Sequence, residues 1–476
     1  MVVYIVGAGP GDPGLITLRA KELVSRAEVI LYDKLVNPVI LEWAPPDCEV
    51  IYVGKREKGL PPSQEVQLSI NELIQKHGPS RMVVRLKGGD PFIFGRGGEE
   101  AQVCVEAGIP FEIVPGISSA FAAPAYAGIP VSHRDFNSSF AILTGHESDK
   151  DGSAIDWVHL PENIVVLMGV SQIKATAARL LEVGRSPDTP VAAVRQGTTV
   201  EHRTERTTLA GLAREGTTLK PPVVFVIGPV AALHDELDWF GKKLAMARGK
   251  RVVLTRTQSH MDESVPLFEA YGMEVIPMPL IDIRPREFSV PDMGAYDGLI
   301  FTSLEGVRRV AEVQDLSSYQ GRVFAIGPKT RNALEETWGL RASMGEAFNS
   351  EGLAEHILGT MPRGSSLLAL RSSAATSVLK DRLASAFEVE ERPVYDIERL
   401  PADPDLIDQG DAVFVVSASC AKSLAEVDTS HLEGKVVVSI GPETSRHIPF
   451  SHVQAYRNTI DGMIEAYVDH LWTGYP

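Results

Sequence analysis

Apolar and polar positions alternate between two periods along this chain. Short continuous apolar runs, Val3-Tyr4-Ile5-Val6, Val29-Ile30-Leu31-Tyr32, Met82-Val83-Val84-Arg85-Leu86 and Phe111-Glu112-Ile113-Val114, read as buried strands. Between them, residues 15–27 carry helical spacing, and an alanine-rich helix is expected after Ser118-Ser119. Further strands are expected at 164–168, 191–194, 223–227 and 251–256, and a break near 121–131 divides the first half into two α/β lobes. The second half echoes itself. A strand ending in Thr302-Ser303 is followed 25 positions after Thr302 by Gly327-Pro328-Lys329-Thr330; a strand ending in Ser417 is followed 24 positions later by Gly441-Pro442-Glu443-Thr444. Each lobe thus ends one strand in hydroxyl residues and another in Gly-Pro-x-Thr at a helix start, where amides and hydroxyls face a common cleft.

At 476 residues the chain is too long for one core. Hydrophobic residues at 44% and charged residues at 23% place it among ordinary globular proteins rather than disordered ones. The basic stretch 241–250 marks a short join between the halves. Cys48, Cys104 and Cys420 have no paired spacing, so neither a disulfide framework nor a metal site is expected, and a cytoplasmic location fits. Apolar runs fall far short of a membrane span, and the chain opens on a strand without a charged leader, so it is expected to be neither secreted nor embedded. A net charge of -16 argues against nucleic acid as partner, because counterion release needs a basic face. A polyanionic small molecule must therefore find a local cationic pocket.

The densest chemistry lies at 86–100, LKGGDPFIFGRGGEE. Gly88, Gly89 and Asp90 let the backbone approach a ligand, Pro91 stops the strand, and Arg96 projects from a nearly bare backbone beside Glu99 and Glu100 at the next helix start. A second loop, Gly7-Ala8-Gly9-Pro10-Gly11-Asp12, admits a dinucleotide reading, with Asp33 closing the second strand as a ribose-binding acid and a nicotinamide-dependent oxidoreductase as the function. Asp12 in place of the third glycine and the amide missing at Pro10 oppose it. A two-lobed ligand-binding protein without chemistry is another reading of the second half.

The stretch 86–100 resembles the signature of uroporphyrinogen-III C-methyltransferases, within the tetrapyrrole methylases, and the likeness extends over residues 1–240. Tyr32-Asp33-Lys34-Leu35-Val36, Val53-Gly54-Lys55-Arg56, Pro115-Gly116-Ile117-Ser118-Ser119-Ala120 and Met168-Gly169-Val170 follow in the family's order. The resemblance implies a fold of two α/β lobes, about 1–120 and 121–240, with S-adenosyl-L-methionine between them and S-adenosyl-L-homocysteine as its product. It implies Asp33 as proton acceptor, Lys55 as proton donor or substrate anchor, and Arg96 and Glu99 in catalysis. Cofactor contacts would come from Pro10, Gly88, Gly89, Asp90, Ile93, Ser118, Ser119, Met168 and Gly197. By itself Asp33 is equally a turn cap, Ser118-Ser119 an N-cap pair and Met168 a core residue.

Residues 250–476 are similar to uroporphyrinogen-III synthases, whose two lobes face each other across the active site. That implies lobes of 250–283 plus 400–476, and of 284–399. Tyr395, in Arg392-Pro393-Val394-Tyr395, would assist hydroxyl departure, or else its ring lies in the core. Thr302, Ser303, Thr330, Arg371, Ser417 and Thr444 would hold carboxylate arms. The two resemblances together imply closure of hydroxymethylbilane to uroporphyrinogen III and two methylations to precorrin-2, on the way to sirohaem or cobalamin, in a homodimer.

Overall fold

The computed structural model describes residues 1–53, 70–145, 155–289, 291–345 and 348–474. It divides into two compact units, Met1–Met246 and Ala247–Pro476.

The first unit holds two five-stranded sheets. One is wholly parallel, in the order Glu49–Tyr52, Val29–Tyr32, Val83–Lys87, Val3–Gly7, Phe111–Val114. Val83–Lys87 is central and every residue in it is buried, which is why the sequence reads there as a run rather than an alternation. One face of this sheet packs Val6, Ile30, Val84 and Leu86 on Leu23 and Val24; the other packs Val3, Ile5, Leu31 and Val83 on Ala101 and Cys104. The helix expected over 15–27 is shorter. Asp12 caps a 3-10 turn at Pro13–Leu15, and Thr17 then caps the helix Leu18–Val24.

The second sheet is mixed, in the order Phe140–Thr144, Asn163–Leu167, Val223–Ile227, Pro190–Arg195, Arg203–Thr208. Where a break was expected, helix Ser119–Tyr126 carries the chain across, packing Ala120, Ala123 and Ala127 on this sheet. The basic stretch expected as a join is also partly helical. Trp239–Ala245 is capped by Asp238 and buries Phe240 and Leu244, with the Phe240 ring 4.8 Å from that of Tyr126. The lysines there mark a solvated helix face.

The second unit again holds two sheets. Glu274–Pro277, Arg251–Leu254, Ala412–Val415, Val436–Ser439 and Val453–Gln454 form a parallel one, so segments far apart in sequence share a sheet. The other runs Ile281–Pro285, Glu388–Arg399, Ser366–Ser372, Gly298–Phe301, Arg322–Ala325, Ala342–Ser343. Its first two strands pair antiparallel from Ile281 opposite Arg399 to Pro285 opposite Tyr395, and they carry the chain from one lobe to the other and back. The sequence echo is realised in the backbone: Ser303 and Ser417 are both extended N-caps, and Gly327 and Gly441 both lead a proline into a helix. Among the described residues no helix is long and apolar enough to cross a membrane.

Candidate active site

Three strand ends of the parallel sheet meet in the first unit through glycines. Gly9 and Gly89 exchange backbone hydrogen bonds at 3.2 and 2.7 Å, which sets Pro10 beside the Gly88-Gly89 turn. A Cβ on Gly116 would stand 2.3 Å from the Gly89 carbonyl oxygen and 2.8 Å from Gly7 Cα, so the loops close only on bare backbone. Asp90 fastens them, its Oδ1 accepting from Phe92 N at 2.8 Å and its Oδ2 from Gly116 N at 3.1 Å. Ile93 then leaves the turn and packs against the apolar cluster that includes Ala120, Ala123, Leu167 and Val194.

That small cluster gathers most of the expected cofactor residues. Ser118 caps the helix through Ala120 N at 3.2 Å and Ser119 opens it. Met168 follows Leu167 and is 47% exposed. Gly197 follows the strand of Val194, seated on Ala123. Its carbonyl accepts from His202 Nδ1 at 2.9 Å, and the other ring nitrogen of this buried histidine meets Thr204 Oγ1 at 3.1 Å. Four non-glycine residues have positive φ among the described ones, Phe94 at 51°, Arg96 at 60°, Met168 at 53° and Gln196 at 49°, and all flank this cluster in sequence. Left-handed backbone at such residues costs about 1–3 kcal/mol each and concentrates at functional sites.

Asp12 settles what the first glycine loop does. Its Oδ2 accepts from Tyr126 Oη at 2.8 Å, its Oδ1 from Gly14 N at 2.7 Å, and its amide donates to Thr198 Oγ1 at 3.1 Å. The carboxylate pins the two lobes together where a pyrophosphate would want an amide, and burial together with this carboxylate pushes the Tyr126 phenol up.

Asp33, Arg96 and Glu99 converge on a cavity of about 410 Å³ whose lining also includes Arg85, Lys87 and Glu100. Arg96 pairs with Glu99 at 3.3 Å, and its side chain is 80% exposed at the rim. Asp33 Oδ1 accepts from Leu35 N at 3.2 Å, so it does cap its turn, while Oδ2 faces Arg85 Nη2 at 3.6 Å. Lys55 lies outside the described residues. Arg85 and Lys87 are not singled out from the sequence, and Glu100 is read there only as an acid at a helix start. Arg85 and Lys87 continue the face of Val83 on the central strand, and Glu100 projects from helix Gly97–Glu106 above them. Glu100 Oε1 accepts from Arg85 Nε at 3.1 Å and from Lys87 Nζ at 2.7 Å, with all three side chains buried. Burial, and then the Arg85 guanidinium, hold the Lys87 ammonium below its ordinary value.

In the second unit Tyr395 is buried: its ring belongs to the core, as one reading has it, and its hydroxyl donates to Ser303 Oγ at 3.0 Å. Ser303 Oγ also accepts from Gly306 N at 3.0 Å as the cap of helix Leu304–Ala311. Arg371, equally buried, pairs with Glu391 at 2.6 Å. Thr302 follows the strand Gly298–Phe301, next to Ser303, and Thr330 lies buried in the first turn of Pro328–Trp338. Ser417 and Thr444 take the matching places in the other lobe, Ser417 capping through Cys420 N at 3.1 Å.

Both halves of the chain are similar to known proteins. The pattern of the Tetrapyrrole (Corrin/Porphyrin) Methylases matches residues 2–213, and that of Uroporphyrinogen-III synthase HemD matches residues 262–465. "Porphyrin biosynthesis protein HemD" of Ruminiclostridium josui is 32% identical over 97% of both chains. "S-adenosyl-L-methionine-dependent uroporphyrinogen III methyltransferase" of Methanosarcina barkeri is 49% identical over 49% of this chain and 94% of its own. A solved structure, uroporphyrin-III C-methyl transferase from Thermus thermophilus complexed with S-adenyl homocysteine, aligns at 38% identity over 48% of this chain and 93% of its own, with a TM-score of 0.42.

Proposed function

We propose, for a chain that belongs to the tetrapyrrole methylases over its first half and to the uroporphyrinogen-III synthases over its second, a bifunctional enzyme of tetrapyrrole biosynthesis. The second unit closes hydroxymethylbilane to uroporphyrinogen III with inversion of the last ring. The first unit transfers two methyl groups from S-adenosyl-L-methionine to that product, giving precorrin-2. The observation that carries the reading is the convergence of Asp33, after the second strand, with Arg96 and Glu99, at the start of helix Gly97–Glu106, on one cavity beside the glycine cradle.

The cradle fits the cofactor. Gly89 has φ 71° and bare backbone with nothing closer than 3.8 Å to its missing Cβ, where Ser118 Cα and Ser119 N stand. When bound, S-adenosyl-L-methionine supplies an electrophilic methyl group. This chain's part is to make the pyrrolic carbon a nucleophile and to hold it still. Asp33 takes the proton that leaves the macrocycle, a task suited to a carboxylate at the cavity wall. Arg96 at the rim pairs with an acetate or propionate arm. In the second unit Tyr395, held by Ser303, assists departure of the hydroxyl, and the two lobes position a reactive chain rather than attack it.

Three cysteines with no disulfide between them fit a cytoplasmic location. A homodimer completes the proposal, checked by light scattering. The function is tested by supplying hydroxymethylbilane and labelled S-adenosyl-L-methionine, then following ring isomer and label together. Uncatalysed closure gives the other isomer. Formation of uroporphyrinogen III without label transfer would remove the first unit's assigned role; label transfer to supplied uroporphyrinogen III without ring closure would remove the second's.

A further inference from the structure

Past the carboxyl ends of the strands in the second unit, both lobes present positive charge. Strand Arg251–Leu254 runs into Thr255-Arg256-Thr257, and a short turn, Gln258–His260, leads into helix Met261–Ala270. Thr257 Oγ1 and His260 Nδ1 share a hydrogen bond of 2.8 Å, and the His260 carbonyl accepts from Ser264 Oγ at 2.8 Å, so the ring is held in place. In the other lobe Arg308 stands on helix Leu304–Ala311, after strand Gly298–Phe301. Lys329 stands in the first turn of Pro328–Trp338, after strand Arg322–Ala325. Ligands of open α/β sheets collect at such strand ends. The charges of the two lobes meet at His260, where Arg256 acts from its own lobe and Arg308 and Lys329 act from the other.

These charges do not balance. Glu263 is the one acid acting on His260 among the described residues, and it stands 3.9 Å from Arg256, well beyond the roughly 2.7–2.9 Å of a charge-assisted hydrogen bond. Arg309 takes Glu305 and Glu312, and among the described residues neither Arg308 beside it nor Lys329 has an acid of its own. Arg308 and Lys329 are exposed and Arg256 keeps 21% of its side chain open, so solvent reaches all three. Three cations against one acid call for an anion, and the anions of an open-chain tetrapyrrole are its acetate and propionate arms. Burial, and then Arg256, hold the His260 imidazole below its ordinary value of 6.5; Arg308 and Lys329 push the same way and Glu263 opposes them. A carboxylate seated among the cations reverses that field. We propose that Arg256, Arg308 and Lys329 seat one carboxylate arm of hydroxymethylbilane and that His260 takes up a proton from solvent as the arm arrives, which rests on the ring closure proposed above. The free cleft favours the neutral ring and the occupied cleft the charged one. Affinity is therefore greatest on the acid side and weakens as pH rises through the value of the occupied site.

The test is the KM for hydroxymethylbilane, read as uroporphyrinogen III formed by the full chain without S-adenosyl-L-methionine, from about pH 6 to about pH 8.5, where the arms stay ionised. In the wild type it should rise by about tenfold from the acid to the alkaline end, a difference of about one unit between the free and the occupied site. His260→Gln keeps a hydrogen-bonding group beside Thr257 and should level the profile. Arg308→Gln/Lys329→Gln alters exposed side chains only, so the fold is kept, and it should raise KM by about tenfold or more at every pH. Arg308→Lys should stay close to the wild type. Methylation of supplied uroporphyrinogen III should be unchanged in all of them. A level wild-type profile, a wild-type slope in His260→Gln, or an unchanged KM in the double variant each overturns the assignment. If the wild type yields only the spontaneous isomer, the proposed ring closure fails and this site fails with it; uroporphyrinogen III formed with a KM indifferent to these changes removes the site alone.

Discussion

Replacing Gly116 by alanine strikes the point where the three strand-end loops close. The new methyl would lie 2.3 Å from the Gly89 carbonyl oxygen, 2.8 Å from Gly7 Cα and 2.9 Å from Gly7 C, all backbone atoms with no side chain to swing aside. Ordinary contact begins near 3.4 Å, so the loops must part by about 1 Å. Overpacking of that kind costs about 1–3 kcal/mol. In a unit of this size each kcal/mol lowers Tm by roughly 2–4 °C. The parting also stretches the 3.1 Å bond from Gly116 N to Asp90, which holds the Gly88-Gly89-Asp90 turn in place. A displacement of about 1 Å at a reacting centre can cost roughly a hundredfold in rate.

Gly116→Ala should therefore lose several degrees in the unfolding of the first unit, bind S-adenosyl-L-homocysteine much more weakly by calorimetry, and methylate about a hundredfold more slowly. Ring closure, measured on the same sample as the isomer ratio, should be untouched. A variant that methylates at the wild-type rate with unchanged Tm would show that the close approach of Gly7, Gly89 and Gly116 does not shape the cofactor site. Loss of both activities in a folded protein would refute the independence of the two units.

Ser303→Ala removes the cap on Gly306 N, about 1 kcal/mol, together with the acceptor of the Tyr395 hydroxyl, so uroporphyrinogen III should give way to the spontaneous isomer while methylation persists. An unchanged isomer ratio would make the Ser303–Tyr395 pair structural only. His202 is held below its ordinary value of 6.5 because burial outweighs its bond to the Gly197 carbonyl, so the unfolded chain takes up this proton first as pH falls. Its contribution is complete above pH 6.5 and is lost on acidification from there toward the folded value, so His202→Gln should flatten the acid-side fall of Tm, and superimposable profiles would exclude the residue. With a net charge of -16 the protein repels a polycarboxylate at long range, so kcat/KM for both reactions should rise as salt is first added; a monotonic fall would indicate steering by a cationic surface.

The loops of the first unit were legible because glycine and proline mark where backbone must come close, and their order along the chain carries the cradle. The buried charges behind them went unremarked. Met82-Val83-Val84-Arg85-Leu86 reads as an apolar strand, yet the strand runs on to Lys87, and two cations two residues apart on a central strand share one covered face and require an acid on the helix above, which Glu100 supplies. The helix Trp239–Ala245 was hidden by its lysines, although Phe240 and Leu244, four apart, gave the spacing of a buried stripe. The contact of Tyr395 with Ser303 had no local signal at all, since it depends on the strands Glu388–Arg399, Ser366–Ser372 and Gly298–Phe301 lying side by side.

An acidic chain that handles a polyacid must divide the ligand by polarity, and the charge placement in the first unit suits that division. Arg85 and Lys87 cannot serve as carboxylate anchors while Glu100 and Asp33 neutralise them, and exposing them to an acidic arm would strand those two acids. Arg96 is different: at the rim, solvated and tied to Glu99 only at 3.3 Å, it can exchange that partner for a substrate carboxylate at small cost. On the proposed function the arms would thus be met outside and the neutral ring within. The same logic bears on the second unit, where Arg371 is buried against Glu391 and Tyr395 is uncharged, so that arms of the open chain are better met by the less buried hydroxyls and by amides at the paired helix starts. In both units the buried polar groups would orient the pyrrole framework, and the long-range repulsion of the acids would fall on the rim, where water screens it.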